Sequence, residues 1–358
     1  MTRVDVAVVG AGPAGSACAI SLRDRTPSLS VALIEASRFD APRAGESLSP
    51  AARPLLDRLG VLGAFLAAKH AEVYGTSASW GAESPEDNDY IFHARGPGWH
   101  LERARFDAML AGHAAARGAT LMTGAAVGSV RRDETGGWRL HLAGGGGIAA
   151  RFLVDATGDA MIARRFCGAR VVISDRLVSF GRFFDDRSGS DRRTVVEAFA
   201  DGWWYTAAVP GERRFVACMT DGAAARRLGL RDTECWTRLL DTMPLVASIA
   251  RGAQPSGTIV ARACGSQRLD VAAGSDWLAA GDAASRFDPL SSQGITKALR
   301  SGVFASYAIG DALAGGDGRG LRRYQRFIDA EFEGYLRARA QVYHQERRWP
   351  RSEFWSTR

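Results

Sequence analysis

Three short runs hold the residue types and spacings that could do chemistry. Residues 4–15, VDVAVVGAGPAG, set Gly10, Gly12 and Gly15 in a GxGxxG pattern with Pro13 and Ala14 between, directly after a continuous apolar stretch. Residues 152–158, FLVDATG, end a second apolar stretch in a small-residue loop that contains Ala156 and Gly158. Residues 277–299, WLAAGDAASRFDPLSSQGITKAL, end a third in Gly281-Asp282 and then run through a polar loop into a helical pattern from about Ile295. In such a pattern the first glycine allows a tight turn, the second lets a pyrophosphate approach the backbone, and the third lets helix pack on strand. Glu35 closes the apolar run VALIE 20 residues after Gly15, placed to accept from ribose hydroxyls. Backbone N–H groups at a helix start suit an anion. Taken alone, the run 277–299 reads equally as an ordinary strand-to-helix connection with a Ser cap. Three strands ending at one Gly-rich edge place their loops around one elongated ligand, a dinucleotide such as FAD.

These loops need a parallel sheet with helices between its strands, assembled from segments as distant as residues 10 and 282. A large insertion must therefore lie between 159 and 276. The chain has 358 residues, more than one core usually holds. The expected fold class is α/β: a Rossmann-type FAD-binding lobe built from distant segments, an inserted mostly β substrate lobe and a C-terminal helix. The boundaries are 1–165 for the first part of the FAD-binding lobe, with 70–100 contributing to the substrate cleft. The β-rich lobe covers 166–270, the second FAD-binding part 271–318, and the helix with an aromatic tail 319–358.

In the insertion, residues 203–210 alternate, with Trp203 and Tyr205 on one face and Trp204 and Thr206 on the other. Trp203 and Tyr205 form either a pocket wall over the flavin or plain sheet packing. Tyr74 and Trp80, in a segment that also holds His70, His93 and His100, could cap the cleft. His100, beside Trp99, is the histidine singled out as a catalytic candidate. Leu321, Tyr324, Phe327, Ile328, Phe332 and Tyr335 recur at helical spacing. The tail with Trp349, Phe354 and Trp355 either folds back on the body or binds a partner.

Composition excludes several classes. Five widely spaced cysteines without a CxxC argue against a zinc site or a disulfide framework. The net charge is +7, but the arginines are dispersed, which gives nucleic-acid binding little support. No apolar run reaches membrane-spanning length, and the N-terminus enters a strand at once. A cytoplasmic protein that binds neither nucleic acid nor membrane, and holds no metal, is the expectation.

The motifs VGAGPAG, Gly45-Glu46-Ser47, WHLERARFDAML at 99–110, DATG at 155–158 and GDAASRFDPLSSQGI resemble those of FAD-dependent monooxygenases of the para-hydroxybenzoate-hydroxylase fold, in the branch of the flavin-dependent halogenases and geranylgeranyl-type reductases. With GWWYTAAVPGERRFVACMTD and the C-terminal ERRWPRSEFW, the chain is similar to the flavoprotein monooxygenases that mature tryptophylquinone-containing amine and amino-acid oxidases. The resemblance implies FAD contacts from Glu46, Ser47, Arg103, Asp282, Pro289, Gln293, Gly294 and Ile295, with Glu46 a second catalytic candidate. It implies that reduced FAD meets O2 to give a C4a-hydroperoxide, which an aromatic ring attacks. The implied substrate is a tryptophan in a partner protein or peptide. Hydroxylation or halogenation of a free or carrier-bound aromatic metabolite, a geranylgeranyl-type reduction and a non-enzymatic role in holding a precursor protein are the alternatives. Halogenases use a lysine that falls here near Val73 or Tyr74, and GWWYTAAVP lacks their Trp-x-Trp-x-Ile-Pro spacing. Asp159 stands where the family often has a basic residue, with Arg164 and Arg165 nearby to compensate. No second GxGxxG is present, so electrons come from NAD(P)H bound without its own domain or from a separate reductase.

Overall fold

The computed structural model describes every residue except 42, 44, 91–94, 135 and 188–191, so His93 lies outside the described residues. At its centre is a parallel ribbon of five strands in the order 120–123, 31–35, 2–9, 147–155 and 277–279. Val6, Ala7, Val8 and Val154 are wholly buried, as expected for strands covered on both faces. A hairpin, Val127–Arg132 with Trp138–Leu142, extends the sheet antiparallel from the fourth strand. Helices Pro13–Arg25 and Gly294–Leu313 pack closely. A Cβ on Gly302 would stand 2.2 Å from the Ala14 carbonyl oxygen, so only glycine allows this approach. The Ser21 and Ser306 hydroxyls share a buried 2.7 Å hydrogen bond across the same contact.

The second sheet has seven strands in the order 254–263, 177–185, 213–221, 202–209, 194–199, 75–79 and 86–89. The last two come from the segment read as a cleft cap; Gly75–Ser79 pairs parallel with Thr194–Phe199. Alternation along 202–209 splits two apolar layers. Trp204 joins Phe180, Val216 and Trp236 beneath the helices Thr233–Asp241 and Pro244–Ala250. Trp203 joins Phe215, Met219 and Tyr343 on the opposite face.

A three-stranded antiparallel patch, 47–48 with 98–100 and 71–73, sets Ser47 opposite His100. Helix Arg319–Tyr343 buries Leu321, Tyr324, Ile328, Phe332 and Tyr335 along one stripe. The tail folds back, burying Phe354 and Trp355. Among the described residues no helix is long and apolar enough to cross a membrane.

Candidate active site

The first cradle is the turn between the opening strand and its helix. Gly10 sits at φ +99, and a Cβ there would stand 2.3 Å from the Ala156 carbonyl oxygen. Gly15 is as confined, its Cβ falling 1.9 Å from the Gly10 carbonyl. Gly12 faces open space. No side chain caps helix Pro13–Arg25, and Pro13 has no N–H to satisfy, so the Ala14 and Gly15 N–H groups begin the helix uncapped. An open glycine below uncapped donors fits a pyrophosphate. Glu35 is also engaged by protein donors. Its Oε2 accepts from the Ala11 N–H at 2.9 Å, and its Oε1 from the Ser37 N–H, the Ser37 hydroxyl and Arg43 Nη2. Oε1 is crowded by three donors, whereas Oε2 holds only the Ala11 N–H and keeps room to accept a further donor. Those bonds hold the carboxylate below its usual range despite its burial.

The DATG loop is tied down by its aspartate. Buried Asp155 accepts from the Thr157 hydroxyl at 2.6 Å and the Ala163 N–H at 2.7 Å. Asp159 is neutralised by Arg286 at 2.7 Å, not by the nearer-in-sequence Arg164 or Arg165. Gly158, at φ +61, faces open space.

The third loop carries Asp282, whose Oδ1 accepts from Lys297 Nζ at 2.7 Å. The Lys297 ammonium is almost wholly buried and also donates to the Ser285 carbonyl. Gly281, at φ +65, would drive a Cβ to 2.8 Å from the Ala14 side chain, so this loop sits against the first cradle. Asp288 is buried and accepts from Tyr343 at 2.6 Å, from Arg339 and from the Leu290 N–H, which fixes Pro289 and its short 3-10 turn. Helix Gly294–Leu313 then starts without a side-chain cap. Gln293 and Gly294 are exposed, Gly294 faces open space and Ile295 is buried. Removing the ammonium, as in Lys297→Met, frees Asp282 and unpins the Ser285 carbonyl. The expected result is flavin affinity lowered by about tenfold or more, read as the dissociation constant of FAD from the flavin-free protein.

Glu46 lies between the nucleotide cradle and the second sheet. Burial pushes its carboxyl up to about 7, against the opposing pull of Arg103 and nearby backbone N–H groups. Its Oε1 is buried without a hydrogen-bond partner. Arg103 pairs one turn further along its helix with Asp107 at 3.2 Å and donates to the Gly45 carbonyl at 3.1 Å. Asp107, with no exposed surface, also accepts from Arg43 at 3.1 Å. Arg43 also pairs with Glu35 at 3.0 Å, so the two guanidinium groups and two carboxylates form a balanced network beside Glu46. Arg43, Glu46, Leu101, Arg103, Phe183 and Val209 line a cavity of about 170 Å³.

Next to Glu46, a polar chain crosses between the sheets. His100 Nε2 lies 2.8 Å from Thr194 Oγ1, which lies 3.3 Å from Ser47 Oγ, which lies 2.8 Å from the Tyr205 hydroxyl. Burial pushes the His100 imidazole down to about 4, so it is neutral at physiological pH and holds Thr194 rather than acting as a strong base. Burial, with Glu46 nearby, pushes the Tyr205 phenol up.

Of the expected substrate residues, Trp80, Trp203 and Tyr205 share one apolar cluster, and Tyr74 stands apart. Tyr205 stands in this polar chain. Trp203 is fully buried and donates its indole N–H to the Tyr343 hydroxyl at 3.0 Å. Trp80 packs edge-on against Trp203, Tyr343 and Trp355 and donates to the Val342 carbonyl. The two tryptophans serve packing against the C-terminal tail. Tyr74 is 56% exposed on the surface beside Glu72. Thr194, Asp107 and Arg43 are ordinary in sequence, since only folding sets them beside Glu46 and His100. Lys297 did carry a signal: it is one of two lysines and falls within an apolar helical pattern.

Comparison with known proteins agrees with this geometry. A family model described as an FAD binding domain matches residues 3–327. LodB of Marinomonas mediterranea, named as an FAD-dependent oxidoreductase, is 27% identical over 100% of this chain and 97% of its own. The myxobacterial chondrochloren halogenase CndH superposes with a TM-score of 0.90 at 24% identity, covering 100% of this chain and 86% of that one. The peptidyl tryptophan dihydroxylase QhpG, essential for tryptophylquinone cofactor biogenesis, superposes with a TM-score of 0.80 at 26% identity, covering 99% of this chain and 78% of that one. The chain belongs to the FAD-binding-domain family and is an FAD-dependent oxidoreductase of its halogenase-like flavin monooxygenase group.

Proposed function

We propose that this protein hydroxylates an aromatic ring, the indole of a tryptophan carried by a partner polypeptide. The observation that carries hydroxylation over halogenation is the placement of its lysines. Halogenase chemistry draws on a lysine, and this chain has two. Lys69 is exposed on the surface, and the Lys297 ammonium is committed to Asp282 and Ser285. Position 73 is a buried valine and position 74 a surface tyrosine. Likeness to the peptidyl tryptophan dihydroxylase QhpG along 99% of the chain supports the polypeptide substrate.

In the balanced reaction, one atom of O2 enters a ring C–H bond and the other leaves as water, using two electrons and two protons. FAD, when bound by the three cradles, supplies the electrons and the oxygen activation; NAD(P)H or a separate reductase replenishes them. The protein's own part is binding, proton handling and exclusion of water. With its carboxyl near 7, Glu46 holds and releases a proton at neutral pH. The Tyr205–Ser47–Thr194–His100 chain fixes the loop that carries it. Leu101, Phe183 and Val209 offer apolar walls beside it.

The test is to reduce the FAD-loaded protein, add isotopically labelled O2, bromide and a tryptophan-containing peptide, and weigh the product. Labelled oxygen in the indole is expected. Bromination of the ring sinks the hydroxylation reading, and turnover of free indoles but not the peptide sinks the polypeptide reading.

A further inference from the structure

A second, larger cavity of about 770 Å³ lies away from Glu46, lined by Asp159, Arg164, Val171, Ile173, Arg262 and Ala263 among others. It opens between two unfinished sheet edges. Gln254–Ala263 is the last strand of the seven-stranded sheet, and Val171–Ile173 the last of a three-stranded sheet. An edge strand presents unpaired N–H and C=O groups to any chain that can align with it, and proteins usually blunt such edges. Here only half the long edge is blunted. Pro255 and the irregular pairing around Gly257 disrupt its first half. From Val260 to Ala263 the pairing with Gly181–Val178 is regular, and the other side is open.

The side chains along these edges are unusual for plain surface. Val260 is 50% exposed, Ile173 49% and Val172 43%. Ile259 and Ala261 turn to the core beneath the helices, so Val260 and Arg262 share the opposite face. Arg262 lines the cavity with Arg164, Arg170 and Arg286. Arg286 is spent on Asp159, and Arg170 on Asp270. Arg164 and Arg262 are exposed and make no side-chain hydrogen bond or ion pair among the described residues. A partner chain that supplies backbone hydrogen bonds, apolar side chains on one face and carboxylates would satisfy all three features at once.

We infer that the edge at Val260–Ala263 is a docking site where an extended, acidic segment of a partner polypeptide adds as a further strand. Asp159 follows Gly158 directly, so a segment held there runs beside the DATG loop. The inference rests on the reading that the substrate ring belongs to a polypeptide, and it says where that polypeptide is gripped.

The test measures binding without turnover, so a failed hydroxylation assay does not decide it. FAD-loaded protein is titrated against a fluorescent synthetic peptide of alternating valine and glutamate, followed by anisotropy. Saturable binding is expected, with none for the valine–lysine counterpart or for a version interrupted by proline. Arg262→Glu and Val260→Glu, both at exposed positions, should each weaken binding by about tenfold; Arg337→Glu, exposed on the C-terminal helix, should not. No binding by the acidic peptide, equal binding by the proline version, or indifference to Arg262→Glu overturns the proposal. Competition by inorganic pyrophosphate would overturn it in favour of a phosphate-bearing ligand.

Discussion

A Gly10→Val variant is expected to be recovered in low yield and without flavin, whereas Gly12→Val should fold normally and fail only to bind FAD. Gly10 adopts φ +99, a region that costs residues with a Cβ about 1–2 kcal/mol before any contact is counted. Its Cβ would also stand 2.3 Å from the Ala156 carbonyl oxygen and 2.7 Å from the carbon. Both are backbone atoms of the residue that directly follows strand 147–155, held by the Ala156 N–H on the Val9 carbonyl, so nothing flexible can move aside. The opening strand and the DATG strand would have to separate, and with them the core around Val8 and Val154. Gly12 has no heavy atom within 4 Å of the same added carbon. Valine there meets only the space assigned to the pyrophosphate. The circular-dichroism spectrum and Tm of Gly12→Val should match the parent, while FAD affinity falls by about a hundredfold or more. Normal flavin binding by Gly12→Val would remove the first cradle from the site.

Glu46→Gln is expected to keep its flavin and lose hydroxylation by about 10²- to 10⁴-fold in kcat, the range for a positioned acid or base. Glutamine preserves the shape of the protonated carboxyl but neither gives nor takes the proton. The parent should show a rate that bends near the Glu46 pKa of about 7, and the variant should lack that bend. Stability gives an independent reading. The folded pKa of about 7 lies above the ordinary value of 4.5, so between them the folded state binds more protons than the unfolded. Stability conferred by the protonated group is therefore fully present below about 4.5 and is lost as pH rises through about 7. Linkage puts the loss at roughly 3 kcal/mol. In flavin-free protein the denaturation midpoint of the parent should fall across that window, and the slope should flatten in Glu46→Gln. An unchanged slope would show that Glu46 is not the buried titrating group.

The FAD-binding lobe was legible because its signals are local. Glycines at fixed offsets and apolar runs ending in small loops state a backbone requirement that few other folds share. Trp203 and Trp204 were assigned to opposite faces for the same reason, since a strand's period of two is written in consecutive residues. What each face meets is not. Trp203 packs against Tyr343, 140 residues away, and no pattern near either residue announces the other. Glu35 shows the limit of spacing: position 35 follows from the strand, but its bonds to Ala11, Ser37 and Arg43 depend on a loop conformation. The recruitment of residues 75–89 into the second sheet is a long-range pairing that short strands do not encode. Thr194 is silent in sequence because its hydroxyl matters only once Ser47 and His100 have been brought to either side.

Helix Arg319–Tyr343 has a mechanical consequence. Near its start, Tyr324 donates to the Ala279 carbonyl in the parallel sheet; at its end, Tyr343 binds Asp288 and receives the Trp203 indole N–H from the second sheet. One 25-residue rod is thus bolted to both lobes. A hinge that swung one lobe from the other would have to break these buried bonds together. Cycling between substrate entry and chemistry therefore falls to loop movements, and the two sheets, coupled through one stiff element, share a single cooperative fate on unfolding.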